Sequence, residues 1–283
     1  PDPPLPYMTR IAFPNQQFLE PLATGQLEGL PYLLILERPG KLFAISSNRT
    51  SSEKHLVMDT GRTSFGVAAH PDFKNNGFIF IMHVMGEDFA VETGSRVSRY
   101  TVSRQPPFQA DPSSEQVIIE WPRGGHNGGC LRFGPEGYLY LSTGDGSGIA
   151  DQLQTGQKID DLLGSLLRID VDNQTDGRNY AIPQDNPFVL RTGLHASTRP
   201  EIYSFGHRQL WKYSFDTATG DLWGGEIGQD LWEMVYRIKK GGNYGWSVRE
   251  GSHPFRPDRP QFPIEIEDPF VEHSHNDFRS ITG

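Results

Sequence analysis

The chain is short of cysteine, of positive charge, of long apolar runs and of helical periodicity, and each shortage closes off a class of protein. Cys130 is the single cysteine among 283 residues. No internal disulfide and no cysteine-based zinc cluster can therefore form. Cys130 sits next to Leu131 on an expected strand and reads as a small buried hydrophobe. Lysine and arginine number 26 against 35 acids, a formal charge of -9. That balance argues against sequence-independent nucleic-acid binding, which needs a basic face, and against an anionic membrane surface. No apolar stretch approaches the roughly 18 residues of a membrane-spanning helix. A sustained period of 3.6 is missing as well, and the best helical candidate is a turn or two around 154–163. There is no nucleophile elbow and no HExxH motif. The glycine-rich stretch Gly241-Gly242-Asn243-Tyr244-Gly245-Trp246 has no Lys-Ser/Thr after it, so it is not a phosphate loop, and its aromatics read as packing residues.

What the chain has in quantity is turn chemistry between short apolar runs. It carries 31 glycines and 22 prolines, with 36% hydrophobic residues, enough to bury a core. Strands are expected at 32–37, 41–46, 78–84, 96–102, 116–121, 129–133, 138–142, 166–171, 201–205, 212–216, 221–226 and 234–239. Arg38-Pro39-Gly40, Asn75-Asn76-Gly77, Pro135-Glu136-Gly137 and Ala218-Thr219-Gly220 separate them. One plan recurs: an apolar strand, a Gly/Pro turn, an aromatic strand. It appears at 66–80, at 131–140 and at 213–223. A unit repeated every 60–80 residues suits the blades of a β-propeller; a β-sandwich is the alternative, but it does not account for the repeat. No internal linker stands out, so 1–283 is read as one all-β domain, with 1–6 and 273–277 as surface segments. The chain starts at Pro1 without a charged-then-apolar leader, and it is expected to be part of a longer protein.

The most informative residue is His126, in Gly124-Gly125-His126-Asn127-Gly128-Gly129. An imidazole wrapped in glycines can be approached by a large flat ligand, and it titrates near neutral pH. Asp145, in Gly144-Asp145-Gly146 at the end of the following hairpin, is placed to orient it. A turn histidine beside a turn aspartate is the plainer reading. Arg208, in Phe205-Gly206-His207-Arg208-Gln209, can aim a guanidinium fork at a carboxylate, or serve an internal ion pair. The glycines around Gly228-Gln229 free backbone carbonyls for a hard cation such as Ca²⁺, or make a tight turn. His70 reads as a turn cap, and Asp160, Asp161, Asp170 and Asp172 as solvated charges flanking strands.

Taken in order, the segments 66–73, 126–137, 144–145, 162–170, 183–188, 200–208 and 241–246 resemble the glucose/sorbosone dehydrogenase family, which is similar to soluble PQQ-dependent aldose dehydrogenases. The variant Gly228-Gln229, followed by GGNYGW, is similar to the branch shared with hedgehog-interacting-protein-like propellers. The resemblance implies a six-bladed β-propeller, here cut before its closing blade, since members run on beyond the point where this chain ends. It implies PQQ and Ca²⁺ as cofactors and a sugar as substrate. His126 would be the general base that takes the proton of the sugar C1 hydroxyl, oriented by Asp145. Arg208 and Gln209 would contact the cofactor. The carbonyls of Gly228 and Gln229 would hold Ca²⁺, with Glu233 and Tyr244 near a second, structural calcium. An electron acceptor such as a cytochrome c domain or protein, and a periplasmic or extracellular location, follow from the same resemblance. So does the alternative of a non-catalytic binding propeller. The chain departs from the family pattern at Gln209 (in place of Asn), Gln229 (Pro), Met234 (a carboxylate), Tyr236 (a polar residue) and Arg62 (Gln or Glu).

Overall fold

Residues that alternate between two apolar faces need cover on both faces, and that requirement organises this molecule. A computed structural model describes residues 8–86, 93–190, 197–277 and 279–281. The first sheet is β1 (Pro21–Gln26), β2 (Tyr32–Glu37), β3 (Lys41–Ser46) and β4 (Lys54–Asp59). The second is β5 (Ser64–Ala69), β6 (Phe78–Val84), β7 (Ser95–Val102) and β8 (Ala110–Trp121). The third is β9 (Leu131–Phe133), β10 (Leu139–Ser142), β11 (Ser165–Ile169) and β12 (Ile202–Phe205). The fourth takes β13 (Leu210–Phe215), β14 (Leu222–Glu226) and β15 (Trp232–Ile238), then a small hairpin of β16 (Arg249–Glu250) and β17 (His253–Pro254), and closes with β18 (Val271–Ser274). Every large sheet is a four-stranded antiparallel meander, strands in chain order.

Three apolar cores fill the three gaps between these four blades. In β6, Ile79 and Ile81 face the core shared with the first sheet, while Phe80 and Met82 face the core shared with the third. In β11, Leu167 joins the second-third core and Leu166 the third-fourth core. This is the period-2 alternation of a strand buried on both faces, which is why such strands read as continuous apolar runs. First strands of neighbouring blades lie against each other: β1 touches β5, and β5 touches β9. Between β9 and β13 the contact is made by Tyr213, whose hydroxyl donates to the Cys130 carbonyl at 3.2 Å. Cys130 is buried there, as expected.

The fold is thus an all-β propeller. The described residues form four four-stranded blades rather than six. The helical expectation at 154–163 is overturned: that segment is a series of turns, and the one helix among the described residues is the single turn Phe73–Asn76. Residues 1–6 lie outside the described set, and 273–274 are not a loose surface segment but the end of β18, paired with β15. Asp161 is not simply solvated either. It is half-buried, caps the Leu163 N–H at 2.8 Å, and burial pushes its carboxyl up to about 6. His70 does cap its turn, accepting from the Asp72 N–H at 3.0 Å.

Candidate functional site

In a four-stranded meander, connections after even-numbered strands emerge at one end of the blade and those after odd strands at the other. His126 follows β8, Asp145 follows β10, Arg208 and Gln209 follow β12, and Ile227 to Gln229 follow β14. Strand parity alone therefore sends all four segments to one end of the propeller. There, a cavity of about 660 Å³ is lined by His126, Arg208 and Gln209 together with Arg38, Arg123 and Trp211. The volume lies within the roughly 300–1,000 Å³ typical of small-molecule sites.

The loop carrying His126 is held by backbone against backbone. A side chain at Gly124 would run into the Gly146 carbonyl, and one at Gly144 into the His126 carbonyl and the Gln209 amide. Here the glycines are required by close approach, not by flexibility. The Gly146 N–H donates to the His126 carbonyl at 3.1 Å, and the Gly125 N–H to the Gly146 carbonyl at 3.1 Å.

Asp145 is fully buried, and His126 Nδ1 lies 2.7 Å from its Oδ1. The Ser147 N–H donates to the same oxygen at 2.9 Å, and the Trp246 indole N–H donates to Oδ2 at 2.7 Å. With donors on both oxygens the carboxylate is an acceptor throughout. His126 Nδ1 must then carry the ring proton, which leaves a lone pair on Nε2. Nε2 makes no hydrogen bond among the described residues, and the ring edge faces the cavity.

Arg208 is only 9% exposed and has no carboxylate partner among the described residues. Its guanidinium donates to the Ile227 carbonyl at 3.2 Å and lies 5.8 Å from the Trp246 ring centre, while its Nε has no partner. Burial pulls its pKa down, opposed by the fields of Asp145, Glu226, Glu250 and Glu233. Gln209 donates to the Gly128 carbonyl at 3.1 Å, and its buried Oε1 is unpartnered. Buried polar atoms without partners are uncommon in native proteins. Both atoms are inaccessible, and Gln209 Oε1 lies against the main chain of Gly144, beside the His126 carbonyl.

Sequence reading missed the residues that fix this arrangement. Glu226, at the end of β14, accepts the N–H groups of Arg208 and Gln209, both at 2.7 Å, and binds His207 at 2.8 Å. Glu250 accepts the N–H groups of Gln229 at 2.5 Å and Asp230 at 2.8 Å, which shapes the Gly228-Gln229 turn. Trp246 is not merely a packing residue. The run 243–246 pairs in parallel with the end of β12, through Asn243 opposite Phe205, and this carries the indole to the site. A carboxylate at the end of a Gly-Gly strand is a usable signal for Glu226; a parallel pairing across 38 residues leaves none for Trp246.

The two residues expected near a structural calcium sit elsewhere in the bonding scheme. Tyr244 is buried in the third-fourth core, its hydroxyl accepting from the Lys239 N–H at 2.7 Å and stacked rings of His207 and Tyr244 lying 4.7 Å apart. Glu233 is buried against His275 at 2.8 Å and the Ile281 N–H at 2.9 Å. Burial pushes its carboxyl up, against the pull of those two partners. Among the described residues no group of three or more His, Cys, Asp or Glu side chains is arranged to hold a metal ion. The same residues contain no helix long and apolar enough to cross a membrane.

Residues 20–269 match the family model described as glucose/sorbosone dehydrogenase. The chain is 32% identical over 208 residues to hedgehog-interacting protein from Mus musculus, an alignment covering 69% of this chain and 29% of that one. It is 33% identical over 188 residues to the aldose sugar dehydrogenase YliI of Escherichia coli, covering 64% of this chain and 45% of that one. The chain thus aligns with less than half the length of either relative. A solved structure, the PQQ-bound form of an aldose sugar dehydrogenase from Streptomyces coelicolor, superposes with a TM-score of 0.72 at 23% identity, over 95% of this chain and 72% of that one.

Proposed function

The chain belongs to the glucose/sorbosone dehydrogenase family, and on that premise we propose that it forms part of a PQQ-dependent aldose dehydrogenase built on a six-bladed propeller. The observation that carries the reading is the open cavity lined by His126, which is bonded to the buried Asp145, and by Arg208 and Gln209. An anionic, planar, hydrogen-bonding quinone suits that lining of arginines, an amide and Trp211. PQQ, when bound, supplies an electrophilic carbonyl that accepts a hydride. The rest of the chemistry belongs to the chain. His126 Nε2 takes the proton from the C1 hydroxyl as the C1 hydride leaves, so the aldose goes to its lactone. Asp145 holds the ring in the tautomer that can do this and stabilises the imidazolium that forms. Arg208 and Gln209, both lining the cavity, would hold the cofactor, Arg208 by a charge-assisted contact.

Calcium would be held by the carbonyls of Gly228 and Gln229. Glu226, Glu233 and Glu250 are already committed to N–H groups and histidines. Glu233 and Tyr244 would serve a second calcium only by giving up their present partners. The two electrons would pass to an acceptor such as a cytochrome c domain or protein, in the periplasm or outside the cell, in keeping with the resemblance.

The test is titration of the full-length protein with PQQ, with and without Ca²⁺, followed by dye-linked oxidation of a panel of aldoses. Saturable cofactor binding with turnover of at least one aldose supports the reading. Absence of both favours a second reading, a non-catalytic binding propeller, for which the similarity to hedgehog-interacting protein and the apolar Met234 in place of a carboxylate speak.

A further inference from the structure

We propose that Trp246 is a positioning residue for the His126–Asp145 pair: its indole N–H locks the carboxylate that in turn locks the imidazole, and its ring face ties Arg208 to the same unit. The activity arm of this proposal rests on the role given to His126 above. Its spectroscopic arm does not.

Asp145 has two carboxylate oxygens in a site closed to solvent. Oδ1 is shared by His126 and the Ser147 N–H, but Oδ2 has the Trp246 indole as its hydrogen-bond partner among the described residues. Without that donor a buried anionic oxygen would stand unsatisfied, and the carboxylate would be held through Oδ1 alone. The indole can act as a lock because it is itself immobile. It is 3% exposed and stacks on Phe255 at 4.9 Å between ring centres. Its backbone N–H donates to the Gly206 carbonyl at 2.9 Å, and its carbonyl accepts from Gln157 at 2.9 Å. Gly206 lies two residues before Arg208, so the strand end that carries the arginine also carries the clamp on the tryptophan. Arg208 then lies over the ring at 5.8 Å, where a cation is attracted to the π face. One side chain thus sets the angle between the proton acceptor and the cationic clamp.

Trp246→Phe removes the N–H and keeps the ring stack. In the chain without cofactor, proton NMR should show a downfield His126 Nδ1–H resonance, protected by the bond to Asp145. In Trp246→Phe that proton should exchange with water about tenfold faster or more. In the loaded protein, the same variant should lower kcat by about ten- to a hundredfold while the Kd for PQQ changes less than about threefold. Combined with Asp145→Ala it should cost nothing further, because it acts through the missing carboxylate. A residue that merely fills space would leave the exchange rate alone and add its loss to that of Asp145→Ala; that pair of results overturns the proposal. Should Trp246→Phe fail to fold, Asp145→Ala is read on the indole N–H resonance instead, rather than Asp145→Asn, whose amide oxygen could still accept from the indole. With the acceptor removed, an unmoved resonance overturns the proposal equally. If the wild-type chain oxidises no aldose, the catalytic reading fails while the exchange measurement still decides the role of Trp246.

Discussion

Two buried clusters in this molecule use the same three residue types and finish in opposite states. In the second blade, Arg62 donates to both oxygens of Glu115, at 2.7 and 3.2 Å, and to His83 Nε2 at 2.9 Å. Ser98 adds a bond to Glu115 at 2.8 Å. Burial works to raise the Glu115 carboxyl, but the hydrogen bonds from Arg62, Ser98 and Tyr100 outweigh it and bring it down to about 2. His83 is fully buried, and burial followed by the field of Arg62 lowers it to about 4. This cluster is closed in charge, since its arginine and its acid neutralise each other, while His83 Nδ1 stays without a partner. At the propeller end the acid is spent on the histidine and the indole, and Arg208 is left without a carboxylate. The lesson is one of allocation. A histidine, an acid and an arginine become a structural knot when the arginine takes the acid, and leave the arginine without a carboxylate when the histidine does.

Substitutions should separate the two clusters cleanly. His126→Ala should lower kcat by about 10²–10⁴-fold, the usual worth of a placed general base, with PQQ affinity largely kept. Steady-state turnover beside cofactor titration checks it; unchanged turnover would remove the base assignment. Arg208→Ala should weaken PQQ binding by about ten- to a hundredfold, since a charge-assisted contact to an anionic ligand is lost. The closed cluster should instead report through stability. A histidine held near 4 in the fold and near 6.5 unfolded binds its proton more readily when unfolded, so its contribution is complete above pH 6.5 and fades as pH falls to about 4. The loss is on the order of 3 kcal/mol. Urea unfolding at a series of pH values should show that slope in the wild type and a flatter one in His83→Gln, with no change in PQQ affinity. Tyr244→Phe should have the smallest effect, about 1 kcal/mol for its hydrogen bonds, read as a shift in the urea midpoint. A Ca²⁺-dependent stability lost in Tyr244→Phe would instead assign that hydroxyl to a metal.

The sequence was most legible where both faces of a strand carry apolar side chains. The runs at 32–37, 41–46 and 78–84 coincide with β2, β3 and β6, because both faces of each are apolar. The repeated hairpin corresponds to the first two strands of the second, third and fourth blades. What escaped were strands with a weak apolar signal. β4 and β18 are outer edges with half-exposed, polar residues, and β1 is short in side chains. At the site, His126, Asp145 and Arg208 could be singled out as chemistry-bearing types at strand ends, and strand parity explains why they meet. Glu226, Glu250 and Trp246 were not legible, because their work is to hold backbone groups and a carboxylate contributed by distant turns. Arg62, which stood out only as a departure from the family pattern, is accounted for by Glu115 and His83.

The backbone-on-backbone packing of the His126 loop has an evolutionary consequence. The floor of the cavity is made of main chain and glycine, so it tolerates almost no change. The rest of the lining is made of side chains: Arg38 comes from the β2–β3 turn, and Phe65, in β5, meets Trp211 edge-on at 6.1 Å. Mutational drift among those side chains can reshape what enters while leaving the proton-transfer geometry intact. A scaffold divided in this way can give rise to relatives that act on different molecules, and to others that only bind them, through changes confined to a few rim positions.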